Sequence, residues 1–254
     1  MSGASPWLVR FRRPVAGLPP ARLTLVCFPH AGAGAAVFHP FSRLLPADIE
    51  VAAVVPPGRE ARLREPPLAS IPAMAEGAVA AIAAGIAGPV AFFGHSMGAM
   101  IAFEAARSCM AGAGPAPRHL FLSGRRAADR ASGELPLSGL DDERFVAEMV
   151  RRYEGIPAAI LQDRELLALF LPIMRADIRA IESYRCADGP SLDMPVTLMG
   201  GETDPQCTDE AWRGWQGRIA SPVEKLRFPG GHFYLMDDRA AVVAALAKRL
   251  APLV

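Results

Sequence analysis

Cysteine is scarce. Cys27, Cys109, Cys186 and Cys207 are the four in 254 residues, and their scatter matches no metal or redox spacing. They are expected to be reduced and structural, since a chain this long buries a core without covalent staples. An excess of either charge is also missing. The 27 Lys and Arg stand against 26 Asp and Glu, for a net charge of +1, which argues against a nucleic-acid surface or an anionic membrane as partner. Residues 1–13 contain no apolar stretch of the kind a signal peptide needs, so a cytoplasmic location is expected. Residues 77–93 are uncharged and mostly apolar, but they are short for a membrane span, rich in alanine and broken by Gly88-Pro89. It reads as a core helix followed by a buried strand. There is no internal repeat and no low-complexity tail.

What is present is alternation. Leu23-Thr24-Leu25-Val26-Cys27-Phe28 reads as a buried strand, and residues 51–55, 90–93, 119–122, 196–199 and 225–228 continue the series. Residues 71–86 and 97–110 carry the apolar spacing of helices. Such alternation predicts one α/β domain over 1–254, with a mostly parallel central sheet and helices on both faces. Residues 7–11 are expected to add an antiparallel edge strand. Ligands of such sheets bind beyond the carboxyl ends of the strands.

One interval, about 125–185, shows no strand pattern. Asp141-Asp142-Glu143 makes an acidic start to a helix ending near Tyr153. A second helix begins near Asp163 and runs through Leu166, Leu167 and Phe170 to Tyr184, with Pro172 predicting a kink. Inserted between core strands, this stretch reads as a helical lid. Its apolar face (Phe145, Met149, Leu166, Leu167, Phe170, Met174) either packs the insert onto the core or also lines a substrate channel.

Gly94-His95-Ser96-Met97-Gly98 directly follows an apolar strand and opens a helix, the context of a nucleophile elbow with Ser96 at its tip. A serine hydroxyl is a weak nucleophile at neutral pH and needs a base. With chain order Ser, acid, His, the base is His232, in the glycine-rich turn Phe228-Pro229-Gly230-Gly231-His232-Phe233. The acid that orients the imidazole is assigned to Asp204, just past the strand at 196–199, with Glu202 and Asp209 as rivals. An oxyanion hole needs two backbone N–H groups. Met97, after the nucleophile, supplies one. The loop Phe28-Pro29-His30-Ala31-Gly32-Ala33-Gly34 supplies the other, from Ala31, with His30 shaping the loop.

These features resemble the α/β-hydrolase fold, and four stretches narrow the likeness to the type II thioesterases, stand-alone editing enzymes associated with polyketide synthases and nonribosomal peptide synthetases. They are Cys27-Phe28-Pro29-His30-Ala31-Gly32, then Pro56-Pro57-Gly58-Arg59-Glu60 with Arg62, then Phe93-Gly94-His95-Ser96-Met97-Gly98-Ala99, and Leu171-Pro172-Ile173-Met174-Arg175-Ala176-Asp177 with Glu182 and Tyr184. Ala33 departs from a glycine common in that family. The resemblance implies acyl groups on the phosphopantetheine arm of acyl or peptidyl carrier protein domains as substrate. It implies an acyl-Ser96 intermediate and no metal or organic cofactor beyond the carrier's own arm; a monomer is expected. A carboxylesterase acting on small esters is an alternative. A non-catalytic hydrolase-fold binding protein is another, opposed by the intact Ser96, Asp204 and His232.

Overall fold

The structure, a computed structural model, describes residues 5–11, 20–127, 136–153, 156 and 158–254. Part of the expected insert, 128–135, and the chain start at 1–4 and 12–13 lie outside the described residues.

Seven strands form one sheet: β1 (Leu8–Phe11), β2 (Leu23–Phe28), β3 (Ile49–Val54), β4 (Val90–His95), β5 (Leu120–Ser123), β6 (Val196–Gly201) and β7 (Val223–Phe228). Their order is β1-β3-β2-β4-β5-β6-β7. Every neighbouring pair is parallel except β1 with β3, so the added edge strand at 7–11 is antiparallel as expected. β2, β4, β5 and β6 are buried throughout, because layers cover both faces and each strand is apolar on both sides. β7 exposes Glu224, Lys225 and Arg227, charges that suit an edge strand. β4 and β6 extend past the apolar runs, through Gly94-His95 and Gly200-Gly201, because the neighbouring strands keep pairing there: Phe28 with Gly94, and Gly201 with Phe228.

The helices are α1 (His39–Leu44), α2 (Ile71–Gly85), α3 (Met97–Ser108), α4 (Asp142–Tyr153), α5 (Ala158–Gln162), α6 (Arg164–Ser183), α7 (Asp209–Gln216), α8 (Tyr234–Asp237) and α9 (Arg239–Leu250). α2, α3 and α7 pack on one face, where Met74, Met100, Phe103, Trp212 and Trp215 share a core with β2, β4 and β5. α1, α8 and α9 cover the other, around Phe38, Phe41, Phe93, Phe121 and Leu246. Ser70 starts α2 by accepting the Ala73 amide on its hydroxyl, with Pro72 in the first turn.

Between β5 and β6 lie α4, α5 and α6, and no strand occurs there among the described residues. They own a third apolar cluster, made of Leu137, Phe145, Met149, Ile156, Leu171, Met174 and Ile178. α6 runs as one element through Pro172. Leu166, expected on its apolar face, is instead 46% exposed. The inward stripe follows Leu167, Phe170, Leu171, Met174 and Ile178, a spacing of three and four that leaves position 166 turned away. Among the described residues no helix is long and apolar enough to cross a membrane.

Candidate active site

Ser96 sits between the end of β4 and the first residue of α3, with φ 55° and ψ −115°. That conformation is unfavourable for a side chain with a Cβ, and the flanking glycines make it possible. A Cβ on Gly94 would strike the Gly98 backbone, and one on Gly98 would strike the Phe28 carbonyl. The Ser96 amide donates to the Ser123 carbonyl at 2.8 Å, tying the turn to β5. The hydroxyl is thus held at the carboxyl edge of the sheet, where Ser96 is 8% exposed.

His232 and Asp204 approach from the loops after β7 and β6. His232 Nε2 lies 3.0 Å from Ser96 Oγ, and Nδ1 lies 2.8 Å from Asp204 Oδ2. The two loops are stitched together. The Thr203 amide and hydroxyl both donate to the Gly230 carbonyl, at 3.1 and 2.9 Å, and Gly230 takes a φ of 106° in the turn. Asp204 Oδ1 accepts the Gln206 amide at 2.9 Å and Oδ2 faces the Cys207 thiol at 3.3 Å. Burial pulls the Asp204 carboxyl upward. The hydrogen bond and charge of His232, with the Gln206 and Cys207 donors, outweigh it and hold the group below its usual value. A carboxylate only accepts, so the imidazole proton resides on Nδ1 and the Nε2 lone pair faces the Ser96 hydroxyl. The rival carboxylates are elsewhere. Glu202 is exposed, and Asp209 pairs with Arg227 at 3.1 Å and Lys225 at 3.4 Å.

Behind the imidazole lies an aromatic cluster. His95 is wholly buried, its ring centroid 5.1 Å from that of His232. Its Nδ1 is 2.9 Å from Ser123 Oγ, itself 2.6 Å from the Tyr234 hydroxyl. Burial, then the neighbouring His232 and His30, push His95 well below the usual imidazole range. Burial likewise lowers His30 to about 4, against the opposing bond to the Ala31 carbonyl. Both are neutral rings at pH 7, and His30 packs edge-on to Phe233 at 5.0 Å.

The amides expected to hold an oxyanion, Met97 and Ala31, have no acceptor among the described residues. Around Ala31 the loop is otherwise committed: the Ala33 amide donates to the His30 carbonyl at 3.1 Å, and the Gly32 amide to Asp177 Oδ2 at 2.8 Å. Asp177, on α6, also takes both Nη atoms of Arg59 at 2.9 Å. Sequence reasoning used Arg59 and Asp177 only as marks of resemblance. Neither motif signals that the two side chains, 118 positions apart, meet beneath this loop. The position of Tyr153, with its ring 5.7 Å from that of His232, also went unnoticed. Among the described residues no group of three or more His, Cys, Asp and Glu is placed to hold a metal ion.

The profile of the thioesterase domain family matches residues 23–250. The chain is 35% identical to the gramicidin S biosynthesis protein GrsT of Aneurinibacillus migulanus over 230 residues, which cover 91% of the chain and 90% of that protein. It is 40% identical to thioesterase PikA5 of Streptomyces venezuelae over 233 residues, covering 91% of the chain and 81% of the relative. Among solved structures, the type II thioesterase BorB from the borrelidin biosynthetic cluster superposes with a TM-score of 0.82 at 34% identity, covering 96% of each chain.

Proposed function

Because the chain belongs to the thioesterase family, we propose that it is a serine hydrolase that removes acyl groups from the phosphopantetheine arm of carrier proteins, clearing blocked polyketide or nonribosomal peptide assembly lines. The observation that carries this reading is the unbroken chain Asp204–His232–Ser96, at 2.8 and 3.0 Å, on a strained elbow at the carboxyl edge of the sheet. The relatives support the setting, since GrsT is named for gramicidin S biosynthesis and BorB as a type II thioesterase of a biosynthetic cluster.

In the proposed reaction His232 Nε2 takes the Ser96 proton as Oγ attacks the thioester carbonyl. The oxyanion is held by the Met97 and Ala31 amides, which need surrender no existing bond to do so. The C–S bond breaks and the departing pantetheine sulfur receives the proton from His232. Water, deprotonated by His232, then attacks acyl-Ser96; the ester bond breaks, the free acid leaves and Ser96 regains its proton. Asp204 stabilises the imidazolium in both halves. No step calls on a metal or an organic cofactor. The helices between β5 and β6 serve as the lid over the acyl group, and the protein acts as a cytoplasmic monomer on its carrier partner.

The test is incubation with a panel of acyl-loaded carrier proteins, followed by intact mass, beside a matched alkyl ester. Deacylated carrier is expected, with kcat/KM well above that for the ester. Equal or faster ester hydrolysis would remove the carrier from the reading.

A further inference from the structure

We propose that the buried Arg59–Asp177 ion pair positions the oxyanion loop, so that the hydrolytic site is complete only when α6 is seated on it; this rests on Ala31 being an oxyanion donor. The pair is bidentate at 2.9 Å, with side-chain exposures of 4% and 0%. A buried ion pair adds little net stability over an apolar pair of similar volume, because desolvating both charges offsets their attraction. What an apolar pair lacks is hydrogen-bonding capacity, and here it serves one loop besides a longer bond from Arg59 Nη2 to the Pro57 carbonyl at 3.4 Å. Asp177 Oδ2 accepts the Gly32 amide at 2.8 Å, and Arg59 Nη1 donates to the Ala33 carbonyl at 3.1 Å. On the other side His30 Nδ1 lies 3.0 Å from the Ala31 carbonyl, and the Ala33 amide reaches the His30 carbonyl.

These contacts leave one spare donor in residues 31–33, the Ala31 amide. Fixing the peptides on its carboxyl side fixes the direction in which that amide points. The seat of α6 is set by the same loop. Gly32 has a φ of 76°, and a Cβ there would come within 2.6 Å of Phe170 and 2.7 Å of Met174, while Ala31 itself packs against the cluster of the insert. Arg59 stands after β3 and Asp177 on the insert, so core and insert meet at the donor. An α6 lifted from its seat carries Asp177 away, and the Gly32 amide and Arg59 lose their partner together. The site would then hydrolyse poorly while open and well while closed.

The decisive variant is the double change Arg59→Met with Asp177→Val, which nearly keeps the combined volume and removes both the charges and the contacts to the loop. Circular dichroism is expected to show a folded protein with Tm somewhat below that of the parent, because the Gly32 amide and the Ala33 carbonyl lose their partners. On an acyl-N-acetylcysteamine thioester kcat should fall about a hundredfold, the scale of losing one oxyanion donor, with KM within about threefold. Affinity for a trifluoromethyl ketone, which forms a tetrahedral oxyanion on Ser96, should fall by the same factor as kcat/KM. Asp177→Asn, which keeps one acceptor oxygen, should lose about tenfold in kcat and serves if the double variant does not fold. A folded variant whose kcat and ketone affinity both stay within threefold of the parent overturns the inference. So does a fall in kcat with unchanged ketone affinity. A parent without thioester turnover sinks the proposed function and this inference with it, whereas an active parent matched by its variants sinks this inference alone.

Discussion

Ser96 holds a backbone conformation, φ 55°, that costs a residue with a Cβ about 1–3 kcal/mol. Ala and Gly substitutions therefore separate strain from chemistry. Ser96→Ala keeps the Cβ and the strain, so its Tm should match the parent. Ser96→Gly releases the strain and should melt about 2–4 °C higher, the shift expected for about 1 kcal/mol in a chain of this size. Both should lose at least about a thousandfold in turnover, as removal of a nucleophile does. Thermal melts and a single turnover assay check all three statements, and retained activity in either variant would displace Ser96. At Asp204 the expectation is that Asn lowers kcat by orders of magnitude with KM little changed, since the amide cannot hold the Nδ1–H tautomer. Glu202→Gln should be silent, because that side chain is exposed. Ser96 was legible because the elbow combines glycine positions with strand-then-helix context. Asp204 was legible only as one carboxylate among three, since spacing along a loop does not say which oxygen faces a histidine 28 positions later.

At the scale of elements, α6 shows what periodicity reveals and what it does not. Apolar spacing was enough to place a helix from Asp163 to Tyr184, but not its rotational phase. The packing of Phe170, Leu171 and Met174 toward the core leaves Leu166 and Leu169 exposed, at 46% and 58%. The inward stripe makes the proposed lid testable. Phe170 lies where a Cβ on Gly32 would touch it, so Phe170→Ala opens space beside the oxyanion loop without touching Asp177. The expected result is a shift of about tenfold in kcat/KM toward longer acyl chains relative to acetyl, the scale of adding room for a methylene or two. Hydrolysis of a small activated ester should change little. Chain-length preference identical to the parent would reduce the insert to structure. The Arg59–Asp177 link itself was beyond sequence reasoning for a plain reason: two motifs on different elements declare residue types, while their meeting is a property of the fold.

The whole molecule sets how stability responds to acid. Strand alternation announced the sheet, but nothing in it announced that two imidazoles far from each other's chemistry would be sealed in as neutral groups. His95 is fully buried behind His232, and His119 is 8% exposed at the start of β5. His119 stacks on Phe121 at 4.2 Å and lies 2.9 Å from the Thr197 hydroxyl, with Glu224 and Arg249 nearby. Burial lowers His119 to about 4, the nearby Glu224 opposing it, and lowers His95 well below its usual value. A histidine in the unfolded chain titrates near 6.5. Between that value and about 4 the unfolded state therefore binds protons that the folded state refuses, so stability rises with pH across the window and is lost as pH falls through it. The slope approaches about 1.4 kcal/mol per pH unit for each such group, so His119 alone removes about 1.5 kcal/mol between pH 6.5 and pH 5, and His95 and His30 add in the same direction. Asp204, held below its normal carboxylate value, contributes the same sign only at lower pH. Tm measured from pH 7.5 to pH 5 should therefore fall steadily. His119→Gln, an amide that can still meet Thr197, should flatten the fall by about the share of one group, without altering turnover, because β5 separates that end of the sheet from Ser96. Superimposable Tm–pH curves for the parent and His119→Gln would show that the ring does not stay neutral in the folded protein.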